Sequence, residues 1–240
     1  MVRINLLIKP KDYEGVSFFK DAYNDKDIDN IHIFSLNHDI VIEEIFKNNN
    51  EYTNGFGKEI NEVKYWDRNL FSMQYKVKLY KLHGSISWFY FIPNKKNNDI
   101  LFGDIGSKSD FYHSKDPDGE FQWPMGNPQM LIGTDNKIFS YVADRVFSEL
   151  YFWFQYVLRS VKYLFILGYG FNDFGINNRL RIFYQVCKDI KIIVVDLKDY
   201  KEKISSILGN TKYKNNLVYF IKGNISNIKW NELKKIIKDF

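Results

Sequence analysis

The distribution of apolar and polar positions along the chain predicts an α/β fold. Apolar runs of strand length alternate with segments of helical periodicity, and three of the runs end in polar or glycine-rich turns. The predicted strands are Ile31–Ser35, Val77–Leu82, Val161–Leu167, Ile190–Val195 and Leu217–Ile221. Because continuous apolar runs are typical of parallel strands covered on both faces, we predict a mostly parallel sheet with helices on both faces.

The segments between these strands predict helices. Their bounds are Asp39–Phe46, Ser140–Ser160, Ile176–Cys187, Ser205–Leu208 and Ile225–Phe240. Asp39 suits the N-cap of the first helix. The last helix is basic and amphipathic, which fits either a solvated face or a contact with a protein partner.

Two loop-rich segments, at about residues 47–76 and 92–130, interrupt this pattern. Neither has a clear strand or helix period, and both contain turn signals. Connections this long inside a compact domain are typical of lids, binding loops or small subdomains. We expect both to be insertions into a single domain spanning residues 1–240. We also expect Ile86–Phe91 to form a hairpin with the strand before it, Met130–Ile132 to form a short strand, and Val16–Tyr23 a helix.

Composition and charge exclude several classes of protein. The 240 residues are 45% hydrophobic and 26% charged, which indicates a globular chain. The net charge of +5 is spread without a basic stripe, so no specific nucleic-acid partner is expected. No window reaches the ~18 consecutive apolar residues of a membrane span. The single cysteine, Cys187, excludes an intramolecular disulfide and a zinc site of several thiolates, so we expect a cytoplasmic protein with no metal site and no membrane contact.

Polar residues cluster where three of the predicted strands end. Asn37, His38 and Asp39 follow the first strand, and His83 with Gly84-Ser85 follows the second. The turn Gly168–Asp173 follows the third. Ligands of open α/β sheets bind at the carboxyl edge of the strands. The three strand ends therefore predict one shared pocket.

The glycine turn after the third strand suits a nucleotide. Gly168 and Gly170 allow a phosphate to approach the main chain before a helix begins. Asp196 ends the next strand, where a carboxylate can accept hydrogen bonds from a ribose hydroxyl. The alternative is a tight turn between strand and helix, with Asp196 capping a nearby backbone group. The pairing of the glycines with Asp196 favours nucleotide binding.

His83 is the strongest candidate for acid–base chemistry. An imidazole at a strand terminus can act as a general base, although a structural histidine is the alternative. Asn37 can position a water or a carboxamide, and Asp39 can orient it; their alternative role is local capping. His38 is expected to point away from the pocket, and His113 has no companion ligands.

Four motifs in the same order resemble the bacterial SIR2-like proteins, divergent relatives of the sirtuins that often serve in anti-phage defence. The motifs are Phe34-Ser35-Leu36-Asn37-His38-Asp39, Lys81-Leu82-His83-Gly84-Ser85, Gly133-Thr134-Asp135-Asn136-Lys137 and Ile166-Leu167-Gly168-Tyr169-Gly170-Phe171-Asn172-Asp173. The resemblance implies a Rossmann-like domain that binds NAD. It also implies an NADase, which hydrolyses NAD to nicotinamide and ADP-ribose.

The resemblance assigns roles to individual residues. His83 matches the catalytic histidine, Asn37 the asparagine that holds the reacting ribose or water, and Asp39 the aspartate near the nicotinamide amide. Asp196 matches the residue near the adenosine ribose. The glycine turn lies under the phosphates and takes part in cofactor binding through Gly168, Tyr169, Gly170, Phe171, Asn172 and Asp173.

Two departures from the family pattern shape the expected activity. Sirtuin deacetylases have a four-cysteine zinc module, so protein deacetylation is disfavoured and no zinc is expected. The family also has a Gly-Ala-Gly-type loop before the asparagine motif, whereas Gly15 is the sole glycine before Ile31. We therefore expect an N-terminally incomplete domain. The alternatives are a non-catalytic module that senses NAD or ADP-ribose, or a protein-interaction remnant without a ligand; a protein partner or homo-oligomer fits each reading.

Overall fold

The computed structural model describes residues 18–94, 99–108, 112–132, 144–187, 190–208 and 218–239. These residues divide into two compact units. The first unit contains Ile28–Tyr151, and the second contains Phe152–Phe240 together with the described residues up to Asp27. The prediction for Gly133–Lys137 lies outside the described residues.

The first unit contains a three-stranded parallel sheet that follows from the predicted apolar runs. Its strands are β1 (Ile31–Ser35), β2 (Tyr52–Thr53) and β5 (Val77–Lys81), in the order β1-β5-β2. Helix α2 (Val41–Phe46) follows β1 directly. Val77 and Leu79 of the central strand are fully buried, as their apolar alternation indicates.

A five-stranded antiparallel sheet completes the first unit. It has the order β3-β4-β7-β6-β8. Its strands are β3 (Phe56–Ile60), β4 (Val63–Trp66), β6 (Trp88–Pro93), β7 (Leu101–Asp104) and β8 (Gln122–Met125). A 3₁₀ helix, Arg68–Ser72, connects β4 to β5, and helix α3 (Arg145–Leu158) passes from the first unit into the second.

Aromatic side chains form much of the interior of this sheet. The Trp88 ring lies 5.1 Å from Phe56 and 5.6 Å from Phe102, measured between ring centroids. Trp66 contacts the same group edge-on. Offset and edge-to-face aromatic pairs each add roughly 0.5–1.5 kcal/mol beyond the area they bury. Part of the high aromatic content of the chain therefore serves to pack this sheet.

The second unit is built on the three parallel strands predicted from the carboxyl half of the chain. Strands β9 (Tyr163–Leu167), β10 (Lys191–Asp196) and β11 (Val218–Lys222) pair in the order β11-β10-β9. Besides the end of α3, the described residues of this unit form helices α1 (Phe18–Asn24), α4 (Phe174–Val186), α5 (Lys201–Leu208) and α6 (Trp230–Asp239), and a 3₁₀ helix at Ile225–Asn227. Asp25 joins α1 to α6, because its carboxylate accepts hydrogen bonds from Trp230 Nε1 and Lys234 Nζ at 2.7 and 2.8 Å.

The prediction of an α/β fold is confirmed, but that of a mostly parallel sheet is wrong. The antiparallel strands arise largely from the segments predicted to be loop-rich insertions. These strands are short, and a register shift between Phe56 and Glu59 interrupts one pair, so no sustained alternation is visible in the sequence. Antiparallel strands also need only short connections, which read as turns.

Three local predictions also need correction. β6 pairs with β7 and β8 rather than forming a hairpin with β5. Met130 makes an isolated bridge with Gly84 instead of belonging to a strand. The described part of the predicted helix Ile225–Phe240 divides into a 3₁₀ turn, Ile225–Asn227, and helix α6. Within the described ranges, none of the helices combines the length and apolar character that crossing a membrane requires.

Candidate functional site

The carboxyl edge of the parallel sheet in the first unit gathers the predicted catalytic residues of that unit. Since β1, β5 and β2 run in the same direction, the segments that follow them emerge at one edge. Asn37, His38 and Asp39 follow β1, His83 follows β5, and Asn54 follows β2. The ladder continues one step beyond β5, where the Leu82 amide donates to the Ser35 carbonyl at 3.0 Å.

His83 lies in a tightly bonded turn at this edge and is only 5% exposed. Its carbonyl accepts a hydrogen bond from the Leu131 amide at 2.9 Å, and the Ser85 amide donates to Gln129 O at 3.1 Å. Gly84 has a φ of 78°, and a Cβ at this position would overlap the Gln129 carbonyl. Glycine is therefore required directly after the histidine.

The segment Asn37–Asp39, here called the Asn37 loop, packs against the turn that contains His83. The Ile86 amide donates to the His38 carbonyl at 2.9 Å. The imidazole rings of His38 and His83 are 6.2 Å apart, measured between centroids. The ring of His38 therefore lies beside that of His83, and its expected orientation relative to the pocket stays a prediction.

The other two residues of the Asn37 loop differ in their surroundings. Asn37 is exposed, and its backbone amide donates to Ser35 Oγ at 3.1 Å. Asp39 is partly buried, and its Oδ1 accepts a hydrogen bond from the Val41 amide at 3.0 Å. The predicted N-cap role of Asp39 is wrong, because Ile40 is the N-cap of α2. The Asp39 carboxylate instead makes a local turn contact just before the helix, which is the kind of local role weighed against a ligand contact. The side-chain amide of Asn37, which is an exposed residue, is accessible to a ligand.

A buried ion pair lies beneath this loop. Lys81, the last residue of β5, is 1% exposed, and its Nζ is 3.0 Å from Oε1 of Glu43 on α2. The same ammonium group donates to the backbone carbonyl of Asp39. The pKa of Glu43 is raised from its ordinary 4.5 to about 7. Burial is the main cause and the charge of Asp104 adds to it, whereas Lys81 opposes the shift.

Asp104 and Tyr52 extend the polar interior next to this ion pair. Asp104 Oδ2 accepts a hydrogen bond from Asn54 Nδ2 at 3.2 Å, and its Oδ1 accepts one from the Gly106 amide at 2.8 Å. Burial raises the pKa of Tyr52 well above its usual range, and the charges of Glu43 and Asp104 raise it further. The carboxyl edge of the first unit therefore rests on buried charged and polar groups.

The glycine turn of the second unit follows β9, as predicted. Gly168 and Gly170 have φ angles of 57° and 67°, and Phe171 adopts 57° although it is not a glycine. The Phe171 side chain is buried, which holds the residue in this sparsely populated conformation. A Cβ on Gly168 would lie 2.7 Å from Cδ1 of Ile225, the end of a flexible side chain, so the positive φ is the main reason for glycine at this position.

Side chains of the second unit close this turn from two sides. Asn177 on α4 donates to the Phe171 carbonyl at 3.0 Å, and its Oδ1 is 2.9 Å from the Tyr169 hydroxyl. Lys203 on α5 donates to the Gly170 carbonyl at 2.9 Å and to Asn172 Oδ1 at 2.7 Å.

The ends of α4 and β10 are occupied by their own carboxylates. Asp173 is the N-cap of α4, since its Oδ1 accepts from the Ile176 amide at 3.0 Å. Asp196, at the end of β10, is largely buried, and its Oδ1 accepts from the Lys198 amide at 3.1 Å. Both residues therefore have the capping contacts that were the alternative to nucleotide binding, and their cofactor roles stay predictions.

The predicted site residues thus fall into two groups. Asn37, Asp39 and His83 share the carboxyl edge of the first unit, whereas Gly168–Asp173 and Asp196 share that of the second. The meeting of these groups in one pocket, and the bound NAD, stay predictions. Among the described residues, no group of three or more His, Cys, Asp or Glu side chains is arranged to hold a metal ion.

Sequence reasoning missed the buried polar groups of the first unit, above all Lys81 and Glu43. One signal for Lys81 was available. Val77 and Leu79 alternate onto the buried face of β5, and Lys81 is next in that alternation. A lysine at a position predicted to be buried needs a partner, but the identity of Glu43 as that partner depends on tertiary contact.

Comparison of the sequence with protein-family models and with curated proteins found no match.

Proposed function

We propose that this chain is a SIR2-like domain of Rossmann-like character that hydrolyses NAD to nicotinamide and ADP-ribose, in a role such as anti-phage defence. The observation that supports this most is the carboxyl edge of the first unit. There the turn that contains His83 is hydrogen-bonded to the Asn37 loop, and a second imidazole, His38, lies beside it. The ordered motifs that resemble the family include both of these segments.

In the proposed reaction the bond between the nicotinamide nitrogen and ribose C1′ breaks, and its electron pair leaves with nicotinamide. The sugar develops oxocarbenium character, and a water oxygen forms the new bond to C1′. His83 takes the proton from this water, which is general base catalysis worth ~10²–10⁴-fold in rate. The exposed amide of Asn37 orients the water or the ribose hydroxyls. NAD is the substrate, and no metal takes part.

The assay is nicotinamide release from NAD by the purified chain. We expect release to fall by a factor of ~10²–10⁴ in His83→Gln, because the base is lost while much of the side-chain volume is kept. Asn37→Ala should also reduce release, and its exposed position makes a folding defect a poor explanation for the loss. Thermal unfolding of each variant verifies the fold.

His113→Gln is the matched control for this assay. His113 is exposed and lies outside both candidate edges, so the same substitution there should leave nicotinamide release unchanged. Release at the wild-type rate in folded His83→Gln would overturn the catalytic assignment.

The burial of His83 favours a second candidate, a module that binds NAD or ADP-ribose without turnover. A general base must reach its water within hydrogen-bonding distance, and an imidazole that is 5% exposed offers little surface for this. Calorimetric titration with ADP-ribose separates the two candidates. Binding of ADP-ribose together with no nicotinamide release would select the module, whereas the hydrolase requires release.

A further inference from the structure

Lys81 is a buried charged group that the proposed reaction does not use. It occupies the last position of β5, two residues before His83, and is 1% exposed. Its ammonium group pairs with Glu43 of α2 and donates to the carbonyl oxygen of Asp39 in the Asn37 loop. One side chain therefore joins three parts of the candidate site: the strand that leads to His83, the loop before α2, and α2 itself.

The contacts of Lys81 differ from those of a lysine that only fills space. A buried ammonium is costly unless it is paired and hydrogen-bonded, so its position is set by its two oxygen partners. A backbone carbonyl in the Asn37 loop is one of these partners. The neighbouring carbonyl of the loop, His38 O, accepts hydrogen bonds from the Ile86 amide at 2.9 Å and from Ser85 Oγ at 3.4 Å. The loop is thus held at two adjacent residues.

We propose that Lys81 is a positioning residue, whose bond to the Asp39 carbonyl holds the Asn37 loop in register with the turn that contains His83. Glu43 keeps the ammonium group in place for this bond. The expected effect of Lys81 on catalysis rests on the proposed function, but its effect on the Asn37 loop can be measured without substrate. A displacement of the loop by 1 Å can cost about 100-fold in rate, so a loop tether is a sufficient reason for a buried lysine here.

The test separates positioning from a general loss of stability. Lys81→Met alone leaves the Glu43 carboxylate buried without its partner and is expected to destabilise the fold. The double variant Lys81→Met/Glu43→Leu removes both charges, and replacement of a buried ion pair by apolar groups is often neutral for stability. The double variant therefore keeps the fold but leaves the Asp39 carbonyl without its lysine donor.

Hydrogen exchange, measured by mass spectrometry without ligand, reports on the loop itself. In the double variant we expect protection of peptides covering the Asn37 loop and the Ile86 amide to fall by at least about tenfold, because the tether is lost. Peptides covering β10 in the second unit should keep their protection. Unchanged protection of the loop in the folded double variant would overturn the inference.

Kinetics give the second readout. In the double variant kcat for nicotinamide release should fall by about 100-fold while KM changes by less than about threefold, because a misplaced loop weakens the transition state more than substrate binding. A fall in kcat that comes with a fall in thermal stability, while the loop keeps its protection from exchange, would show a purely structural role. If the wild-type chain releases no nicotinamide, the proposed function fails, and the exchange result alone decides whether Lys81 tethers the loop.

Lys78→Met is the matched control, because Lys78 lies on the same strand and alternates to the opposite face. Its Nζ donates to the Phe71 carbonyl at 2.7 Å rather than to the Asn37 loop. Loop protection and kcat should stay at wild-type values in this variant. If Lys78→Met reduces loop protection as much as the double variant does, the specific role of Lys81 is refuted.

Discussion

The two three-stranded parallel sheets of this protein differ in how their carboxyl edges are built. In the first unit, buried charged groups lie below the edge, and the Lys81–Glu43 pair ties a loop to the sheet. In the second unit, backbone conformations with positive φ form the edge, and hydrogen bonds from Asn177 and Lys203 close it. Two parallel sheets of the same size therefore have carboxyl edges of different design: one depends on burying ions, and the other on glycine geometry.

The two edges therefore differ in the substitutions that they tolerate. An edge built on an ion pair is sensitive to the removal of one partner and tolerant of the removal of both. An edge built on backbone conformation is sensitive to any side chain at its glycines.

The largest effect is expected when one member of the buried ion pair is removed. Measured well above the pKa of Glu43, Lys81→Met should lower the free energy of unfolding by about 3–5 kcal/mol, because Glu43 then carries an uncompensated buried charge. Lys81→Met/Glu43→Leu should recover most of this loss. Chemical denaturation measures both values. A double variant as unstable as the single variant would contradict the ion-pair account of the first edge.

Stability of the first unit should depend on pH through Glu43. Its pKa is about 7 in the folded chain against an ordinary 4.5, so the native state binds the proton more tightly than the unfolded state. Stability contributed by this group therefore falls as pH rises from about 4.5 to about 7, by on the order of 3 kcal/mol.

Glu43→Gln provides the comparison for this pH dependence, since glutamine does not titrate. The difference between the unfolding free energies of wild type and Glu43→Gln, measured across the same pH range, should therefore change with pH by this amount. A difference that stays constant between pH 4.5 and 7 would contradict the raised pKa.

A smaller loss is expected at the glycine turn of the second unit. Gly168→Ala should destabilise the chain by about 1–2 kcal/mol, because an L-residue is disfavoured at a φ of 57°. The new Cβ would also press on Ile225. Gly223→Ala is the control, since a Cβ there meets no atom within 4 Å. A lower unfolding temperature for Gly223→Ala than for Gly168→Ala would refute the idea that backbone conformation makes glycine necessary at position 168.

The smallest effect is expected at the cap of α4. Asp173→Ala should lower stability by about 1 kcal/mol through loss of the bond to the Ile176 amide. Asp173→Asn keeps an acceptor oxygen and should recover much of the loss. If Asp173→Ala leaves unfolding unchanged but weakens ADP-ribose binding, the ligand role predicted for this residue would outweigh its role as a cap.

Parts of the fold and the candidate site were predictable because they depend on local pattern. The runs at Ile31–Ser35, Val77–Leu82 and Val161–Leu167 became strands because apolar runs of this length favour pairing in a sheet, although Tyr163–Leu167 is only partly buried along its length. The turn at Gly168 and Gly170 was recognisable because glycines after a strand indicate positive φ, which both residues adopt.

The antiparallel sheet and the buried polar groups escaped prediction for a different reason. Strands as short as Val63–Trp66 give no sustained alternation, and their partners lie in distant segments such as Leu101–Asp104. Glu43 and Lys81 show the same limit, because a carboxylate on an amphipathic helix reads as solvated until the fold places it against a buried ammonium group.

Local sequence is enough to show where strands end and which turns need glycine or a capping carboxylate, because these features follow from steric and hydrogen-bonding preferences of neighbouring residues. The pairing of the strands, the position of His38 beside His83 and the contacts by which Lys81 joins the Asn37 loop to α2 became visible in the folded chain alone. The physical reason is that such contacts are selected by the shared burial of segments far apart in the chain, which local periodicity does not encode.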